Sequence, residues 1–289
     1  VMAGAEPPLS EALFYQPSYN NRIVDDPSPE RTFAAEASWR RTGPSLDMRI
    51  TAFAVAVFDG LETRRYYDDL AALFCDVSVA GIGRLCLGIE AAAEVRLSYR
   101  WSLALAASAG RYRHIRDPFL TVLSDVDNTA VLTHAAGRMA GCAVGGTPQT
   151  AATAGVSYFG PKGWGGRLSA GYAGGRYVEP MPLRRTDRIA GQAALTPEAF
   201  DAFTRQERLA DAFTLDASLF RTFYFGRSRL TASLLLRNLT GGRDTVYNGY
   251  ESLRVRRIRS GDATEWMPHA SRRTYAWPRS FYLTVSYRF

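Results

Sequence analysis

The chain has 289 residues, 46% of them hydrophobic and 22% charged, a composition that excludes a disordered protein. Its net charge of +7 comes almost entirely from arginine, but the arginines are spread along the sequence. No basic helix or aromatic binding motif gathers them, which argues against nucleic acid as a partner. No run of about 18 apolar residues is present, so a helical membrane protein is excluded as well.

Apolar and polar residues alternate with a period of two in nine segments, which predicts about nine β-strands. Most have the length of about 9 to 11 residues that crosses a bilayer when a strand is tilted. The alternation is weakest in 47–58, where Phe53, Val55 and Val57 lie on the otherwise polar face. In chain order the segments are 32–39, 47–58, 85–95, 101–110, 150–158, 167–172, 213–219, 230–238 and 279–289.

The last segment, RSFYLTVSYRF, shows the alternation most clearly and ends on the last residue. A strand there has one apolar face and one largely polar face, and we expect the apolar face to meet lipid and the other to face a lumen. The apolar face consists of Phe281, Leu283, Val285, Tyr287 and Phe289. Both edges of such a strand need partners, because unpaired backbone groups are costly in hydrocarbon.

The connections between the segments alternate between short and long. RRTGPS, RLSYR, FGPKG and FGRSR are short, whereas 60–81, 113–146, 177–210 and 241–277 are long. This order predicts an antiparallel up-and-down sheet in which each strand pairs with its neighbour in sequence. Short turns at one end and long loops at the other are typical of outer-membrane β-barrels.

Aromatic residues flank every short connection, which indicates an interfacial girdle at that end of the barrel. Their amphipathic rings favour the boundary between lipid and water. At the short connections they are Trp39, Tyr99, Trp101, Tyr158, Phe159, Trp164, Phe223 and Phe225, and at the chain end Tyr287 and Phe289 complete the set.

Several stretches, taken in order, resemble the C-terminal part of a TonB-dependent outer-membrane receptor. DPSPERTFAAEASW, GGTPQTAATAGVSYFGPKGW, PLRRTDRI and QERLADAFTLDASL resemble successive segments of such barrels. LTASLLLRNLTGGRDTVYNGYESLR resembles the penultimate strand and last external loop, and YAWPRSFYLTVSYRF resembles the closing strand. The resemblance is best to the subgroup whose members have a carboxypeptidase-regulatory-like N-terminal domain. Nothing in residues 1–289 resembles that domain.

The resemblance implies that residues 1–289 are the C-terminal portion of a barrel of about 22 strands, without its plug domain. The intact protein is then expected in the Gram-negative outer membrane, in contact with outer-membrane lipid. It would import a scarce nutrient, such as an iron chelate, cobalamin or an oligosaccharide, with energy passed through TonB by the missing N-terminal part. The terminal strand from Phe281 to Phe289 resembles the signal that the barrel-assembly machinery reads.

Polar and aromatic residues in the long connections are the candidate ligand contacts, because loops carry most binding residues in such folds. The alternative for each is a loop side chain that faces water or lipopolysaccharide. The candidates are Tyr66, Tyr67, His114, Arg184, Arg185 and Tyr250.

No enzyme, cofactor or metal site is expected. Ser, His and Asp residues are present, but no Gly-x-Ser-x-Gly motif or comparable constellation surrounds a nucleophile. Asp125 and Asp127 lack the glycine and closing glutamate of a calcium loop. Cys75, Cys86 and Cys142 have no zinc-type spacing, and a Cys75–Cys86 disulfide stays possible in an oxidising compartment. A small complete barrel with a structural or adhesive role and a soluble β-domain are the alternatives.

Overall fold

The computed structural model describes residues 1–18, 20–192, 195–242, 246–260 and 263–289. Most of them form antiparallel β-strands, and the helices are short. The strands are β1 (Met2–Glu6), β2 (Phe14–Gln16), β3 (Asn20–Ile23), β4 (Glu30–Thr42), β5 (Leu46–Asp68), β6 (Leu73–Arg96), β7 (Trp101–His114), β8 (Phe119–Ser124), β9 (Ala130–Ala136), β10 (Thr150–Phe159), β11 (Trp164–Gly174), β12 (Arg176–Tyr177), β13 (Arg208–Leu209), β14 (Ala212–Phe225), β15 (Ser228–Arg237), β16 (Val246–Tyr250), β17 (Val255–Ser260), β18 (Ala263–Pro268), β19 (Arg272–Tyr275) and β20 (Ser280–Arg288). The helices are α1 (Asp187–Gln192), α2 (Pro197–Thr204) and two 3₁₀ turns, Pro161–Gly163 and Pro182–Arg185. No helix among these residues is long and apolar enough to span a membrane.

One large antiparallel sheet, here called the wall, runs in the order β1-β4-β5-β6-β7-β10-β11-β14-β15-β20. All nine predicted segments are strands of this wall, so the up-and-down fold is confirmed. The structure adds β1, which pairs with β4 at one edge, and the hairpin β8–β9, whose β8 also pairs with residues Cys75–Ala80 of β6. Pairing with the next segment is therefore confirmed for the nine predicted segments, but it does not hold for every described strand, since β1 pairs with β4 and β16 with β19.

The short connections lie together at one end of the wall, the turn end, and the long ones at the other, the loop end. The predicted long connection 60–81 is wrong, because β5 and β6 continue through it as one hairpin that turns only at Asp69–Ala72. The β6 part alternates poorly because Cys75 to Val79 are buried on both faces of the strand. Register shifts between Val57 and Leu61 mark where the hairpin leaves the wall.

The apolar face of the last strand continues across the wall. Leu283 lies opposite Leu234, Leu234 opposite Leu219, and the register carries the face on to Leu168 and Val156. Leu283 is 68% exposed, so no described residue covers this part of the face. Near the turn end, the rings of Trp101 and Tyr158 contact each other with centroids 4.7 Å apart, as expected for the girdle.

The opposite face of the wall carries hydrogen-bonding and charged side chains. Arg49 pairs with Glu36 at 2.7 Å and donates to the Ser38 hydroxyl at 3.0 Å, and Ser38 contacts Thr51. Because successive side chains in a strand point to opposite faces, this polar face is the concave, lumenal one in a barrel.

The wall does not close on itself. In the part of the chain that the structure describes, no ladder joins β20 to β1 or β4; β1 pairs with β4, and β20 with β15. The prediction that the first and last segments are not paired with each other is confirmed.

At the loop end, the chain builds a second body, here called the loop assembly. It comprises β2–β3, the hairpin 60–82, β8–β9, and residues 115–149, 175–211 and 238–279 as far as they are described. Its main core consists of Tyr66, Cys75, Val77, Val79, Ile82, Leu120, Val122 and Leu183. The alternating valines of β6 supply one side of this core, and the turn around Leu183 covers it.

The helices of the loop assembly are fixed by local sequence signals. Thr196 caps α2 by accepting a hydrogen bond from the backbone N–H of Ala199 at 3.2 Å, and Pro197 occupies the first turn. Phe200 and Phe203, three positions apart, lie on one face and are buried. Phe203 packs with Ile189 of α1 and Val255 of β17, which joins two distant connections.

All three cysteines are free thiols. Cys75 and Cys86 lie on the same continuous strand, β6, eleven residues apart, which corresponds to roughly 36 Å. A disulfide needs Cα atoms within about 7 Å, so the Cys75–Cys86 bond that the sequence left open does not form in this fold.

Candidate ligand site at the loop end of the wall

A cavity of about 620 Å³ lies where the polar face of β14, β15 and β20 meets the loop end. Its size falls within the range of roughly 300–1,000 Å³ that small-molecule sites occupy. We call it the aromatic cavity, because four aromatic side chains line it. The lining residues used below are Asp216, Arg237, Asn238, Tyr247, Tyr275, Trp277 and Tyr282.

The strand register places the charged and aromatic groups of the wall side by side. Arg237 lies opposite Ser280, and Tyr282 follows Ser280 on the same face of β20. The Arg237 guanidinium lies 6.0 Å from the centre of the Tyr282 ring. Asp216 of β14 lines the same cavity, so the lining contains one carboxylate and one guanidinium.

Asn238 fixes the base of the last long connection. Its backbone N–H donates to Asp216 Oδ1 at 2.8 Å, and its side-chain amide donates to the Trp277 carbonyl oxygen at 2.9 Å. Asn238 has φ of +50°, a left-handed conformation that asparagine tolerates better than most residues. The residue therefore ends β15 and brings Trp277 to the cavity.

The aromatic side chains of this cavity are accessible from outside. Trp277 is 81% exposed and Tyr247 is 71% exposed. Exposed rings beside a carboxylate and a guanidinium can stack on a flat ligand face and hydrogen-bond to its polar edge. The cavity thus suits an organic ligand with both apolar faces and polar groups.

None of the six residues that the sequence suggested as ligand contacts lines this cavity; five lie in the loop assembly, and His114 is the last residue of the wall strand β7. Tyr66, His114, Arg184 and Arg185 are buried, Tyr67 is half-buried and Tyr250 is exposed. The structure also corrects their setting, because they are not all loop residues: Tyr66 and Tyr67 lie among the last residues of β5, His114 ends β7 and Tyr250 ends β16. Whether any of them contacts ligand stays a prediction.

Arg185 and Glu251 form a buried ion pair that joins two long connections. Arg185 Nη2 lies 2.8 Å from Glu251 Oε1, its Nη1 contacts Oε2, and both residues are 1% exposed. Burial alone would lower the pKa of Arg185, but its bonds to Glu251 raise that pKa above its usual value. Arg184, with Nη1 3.9 Å from the same carboxylate, has a pKa lowered by burial.

Two neighbouring aspartates at the tip of the β5–β6 hairpin bind the same two connections. Asp68 accepts a hydrogen bond from Arg188 of α1, with Nη2 3.2 Å from Oδ1. It also accepts one from the Tyr66 hydroxyl, which lies 2.7 Å from Oδ2. Asp69 accepts a hydrogen bond from Arg254, whose Nη2 lies 2.6 Å from Oδ1. Burial would raise the pKa of Asp68, but the hydrogen bonds from Arg188, the Ala71 backbone and Tyr66 hold it below its usual value.

The residues of the aromatic cavity were missed as a site, although sequence signals for them exist. Asp216 and Arg237 are charged residues on strand faces that also carry serine and threonine. Tyr275 and Trp277 form the cluster YAW just before the last strand. A charge at the loop end of a lumenal face, close to aromatics, is the pattern that would have indicated the cavity.

The fold and its two faces define a segment of an outer-membrane-type β-barrel with elaborated loops. The sequence matches the family described as TonB dependent receptor-like, beta-barrel over residues 4–288, so the chain belongs to that family.

Solved structures agree with this assignment at the level of the fold. One, described as "Copper transporter OprC", is 14% identical with a TM-score of 0.53, and the match covers 98% of this chain and 36% of that one. Another, described as "Structure of the FpvAI-pyocin S2 complex", is 13% identical with a TM-score of 0.51, covering 98% and 30%. The chain thus spans about a third of the length of these structures. No curated protein sequence matches.

Proposed function

We propose that this chain forms the last wall strands and external loops of an outer-membrane receptor that takes up a scarce nutrient with energy supplied through TonB. The observation that carries the proposal is the aromatic cavity, which opens on the lumenal face at the loop end of a wall whose other face is apolar. A ligand captured there would sit at the external mouth of the barrel. The Gram-negative outer membrane is the corresponding location.

The cavity lining favours an organic ligand over a bare ion. Four aromatic rings with one carboxylate, one guanidinium and one amide offer stacking and hydrogen bonds to a sugar ring, a macrocycle or an aromatic chelate. Oligosaccharides, cobalamin and iron chelates remain the candidate classes. A purely structural or adhesive barrel would have no need of such a cavity, so the receptor is favoured over that alternative.

The exposed terminal strand supports a further part of the proposal. Leu283, Val285 and Tyr287 are all more than half exposed on the apolar face of β20. An apolar strand with an open edge is suited to recognition by a barrel-assembly machinery through strand addition. Outer-membrane lipid would then cover the same face after insertion.

Replacement of two rings tests the proposed ligand site. In the intact receptor, Tyr275→Ala and Trp277→Ala should each lower uptake of the cognate nutrient at limiting concentration by about tenfold, the loss expected for an aromatic anchor worth 1–2 kcal/mol. The measurement is growth and labelled-ligand uptake on a panel of oligosaccharides, cobalamin and iron chelates. Tyr99→Ala, which removes an exposed ring in a turn at the other end of the wall, is the control. Normal uptake of every imported compound by the double variant would contradict the proposed site.

A further inference from the structure

A second, much smaller cavity lies inside the loop assembly, between the extension of β6, the end of β7 and residues 179–183. Its volume is about 20 Å³. A space of at least about 10–15 Å³ is needed to hold one water molecule, so this cavity has room for a single small occupant. We call it the His–Met cavity, because His114, Met139, Met181 and Glu179 line it.

His114 presents an unsatisfied nitrogen to this cavity. The side chain is 2% exposed, and its Nε2 atom is buried without a hydrogen-bond partner. Oε1 of Glu179 lies 3.3 Å from this nitrogen. An unsatisfied buried polar atom costs free energy, so an occupant that binds this nitrogen would remove the cost.

The backbone holds the two polar groups firmly in place. The His114 N–H donates to the Cys142 carbonyl oxygen at 2.9 Å, and the Gly141 N–H donates to the His114 carbonyl oxygen at 2.8 Å. The Gly145 N–H donates to the other carboxylate oxygen of Glu179 at 2.5 Å, which leaves Oε1 free to face His114. The positions of the His114 imidazole and the Glu179 carboxylate are therefore fixed by the fold.

Two thioethers line the same space as the His114 imidazole. Met139 and Met181, both 3% exposed, belong to the same cavity lining. A thioether sulfur is a ligand for a soft metal ion. One imidazole nitrogen and two thioethers therefore surround a single small cavity.

The ligand types select the metal. No group of three or more His, Cys, Asp or Glu residues among the described residues could hold an ion, so a zinc-type site does not arise here. Thioether sulfur prefers Cu(I), and imidazole also binds copper well. Arg64 and Arg84 line the same cavity, where each pairs with Glu62, at 2.7 and 3.1 Å, and their charge favours a monovalent over a divalent ion.

From this arrangement we infer that the His–Met cavity is a binding site for one Cu(I) ion, held by His114, Met139 and Met181, with the Glu179 carboxylate beside it as a balancing charge. The ion joins the end of a wall strand to two long connections. The site is separate from the aromatic cavity and does not depend on the proposed uptake of an organic ligand.

The test uses the intact receptor, purified in detergent and loaded with Cu(I) under reducing, anaerobic conditions in competition with a colorimetric Cu(I) chelator. We expect one ion per chain and X-ray absorption that shows sulfur together with nitrogen or oxygen neighbours. Met139→Leu and Met181→Leu keep the core volume, and each should weaken binding at least tenfold, as should His114→Ala.

Two control variants remove comparable groups elsewhere. Met267→Leu changes a methionine that is 42% exposed in β18, and Cys142→Ser removes the neighbouring thiol; both should bind Cu(I) as the unmodified protein does. Circular dichroism and resistance to protease establish that each variant is folded. Absence of stoichiometric Cu(I) in the unmodified protein would overturn the inference. So would Cu(I) binding that survives the two Met→Leu changes or disappears with Cys142→Ser alone.

Discussion

The wall and the loop assembly are built from the same chain but are stabilised in different ways. Along the wall, strands are held by continuous backbone ladders, and the apolar side chains on the outer face, such as Leu283 and Val285, are exposed. In the loop assembly, apolar side chains such as Leu120 and Val122 are completely buried and charged groups are paired inside. The wall thus leaves apolar side chains of its outer face uncovered by the described residues, whereas the loop assembly carries its own core.

This difference teaches where a substitution does harm. In the wall, what matters is the face on which a side chain lies and its depth in the membrane. In the loop assembly, what matters is whether a buried polar or charged group keeps its hydrogen-bond or ion-pair partner, and whether the packing around it is preserved. The predictions that follow test this contrast from the largest expected effect to the smallest.

Removing the shared carboxylate of the buried ion pair should have the largest effect. Glu251→Ala leaves Arg185 buried without its partner, and breaking a buried pair in this way typically costs about 3–5 kcal/mol. Hydrogen exchange should show this loss in the opening free energy of the loop assembly, with the wall amides unchanged. Asp187→Ala removes an exposed pair with Arg138 and should cost less than about 1 kcal/mol. Equal costs for both variants would show that the buried pair has no special role.

A charge on the outer face of the wall should be the next most harmful change. Leu283→Arg should cost roughly 2–4 kcal/mol if the position lies near mid-membrane, and Thr284→Arg much less because the lumen is polar. Folding titrations in lipid vesicles measure the two costs.

Labels separate a lipid-facing from a core-facing Leu283. In reconstituted protein, a spin label at position 283 should be quenched by lipid-soluble reagents and a label at 284 by aqueous ones. The reverse pattern would contradict the orientation of β20.

Filling a close backbone contact in the loop assembly should have an intermediate effect. A Cβ atom at position 145 would lie 2.3 Å from the Glu179 backbone nitrogen, so Gly145→Ala forces the two segments apart. Overpacking of this kind costs about 1–3 kcal/mol, again measured as the opening free energy of the loop assembly. Gly191→Ala is the matched control, because nothing lies within 4 Å of its Cβ position. A Gly145→Ala protein as stable as the control would show that this contact can relax.

The smallest effect is a dependence on pH. The folded-state pKa of Asp68 is depressed, so its stabilising contribution is complete above the unfolded pKa of about 4 and is lost as pH falls through the lower folded value. Cleavage of the loop assembly by an acid protease should therefore rise as pH drops below about 4. Asp68→Asn should lack this dependence, and an unchanged pH profile in that variant would assign the effect to other carboxylates.

The wall could be predicted from sequence because its physical signal is local. A strand with lipid on one side and water on the other must alternate, so segments such as 230–238 indicate both their secondary structure and their outward face. The short turns supplied the strand order, since a two- to four-residue connection forces neighbouring antiparallel strands.

The loop assembly could not be predicted in the same way. The extension of β6 is covered on both faces, so Val77 and Val79 alternate with the equally buried Asp76 and Ser78. Pairings such as Arg185 with Glu251 join residues 66 positions apart, and no local pattern encodes them. The aromatic cavity arises in the same way, from β14, β15 and a distant connection, so its members were not grouped in the sequence.

The adjacent aspartates at the hairpin tip give the two long connections a common attachment point. Arg188 belongs to one connection and Arg254 to the other, and their acceptors, Asp68 and Asp69, are consecutive residues. A ligand that displaces either arginine shifts the conformational equilibrium of the tip and so changes the free energy with which the other connection is held. By thermodynamic reciprocity, occupancy at one connection and at the other must then affect each other by the same factor.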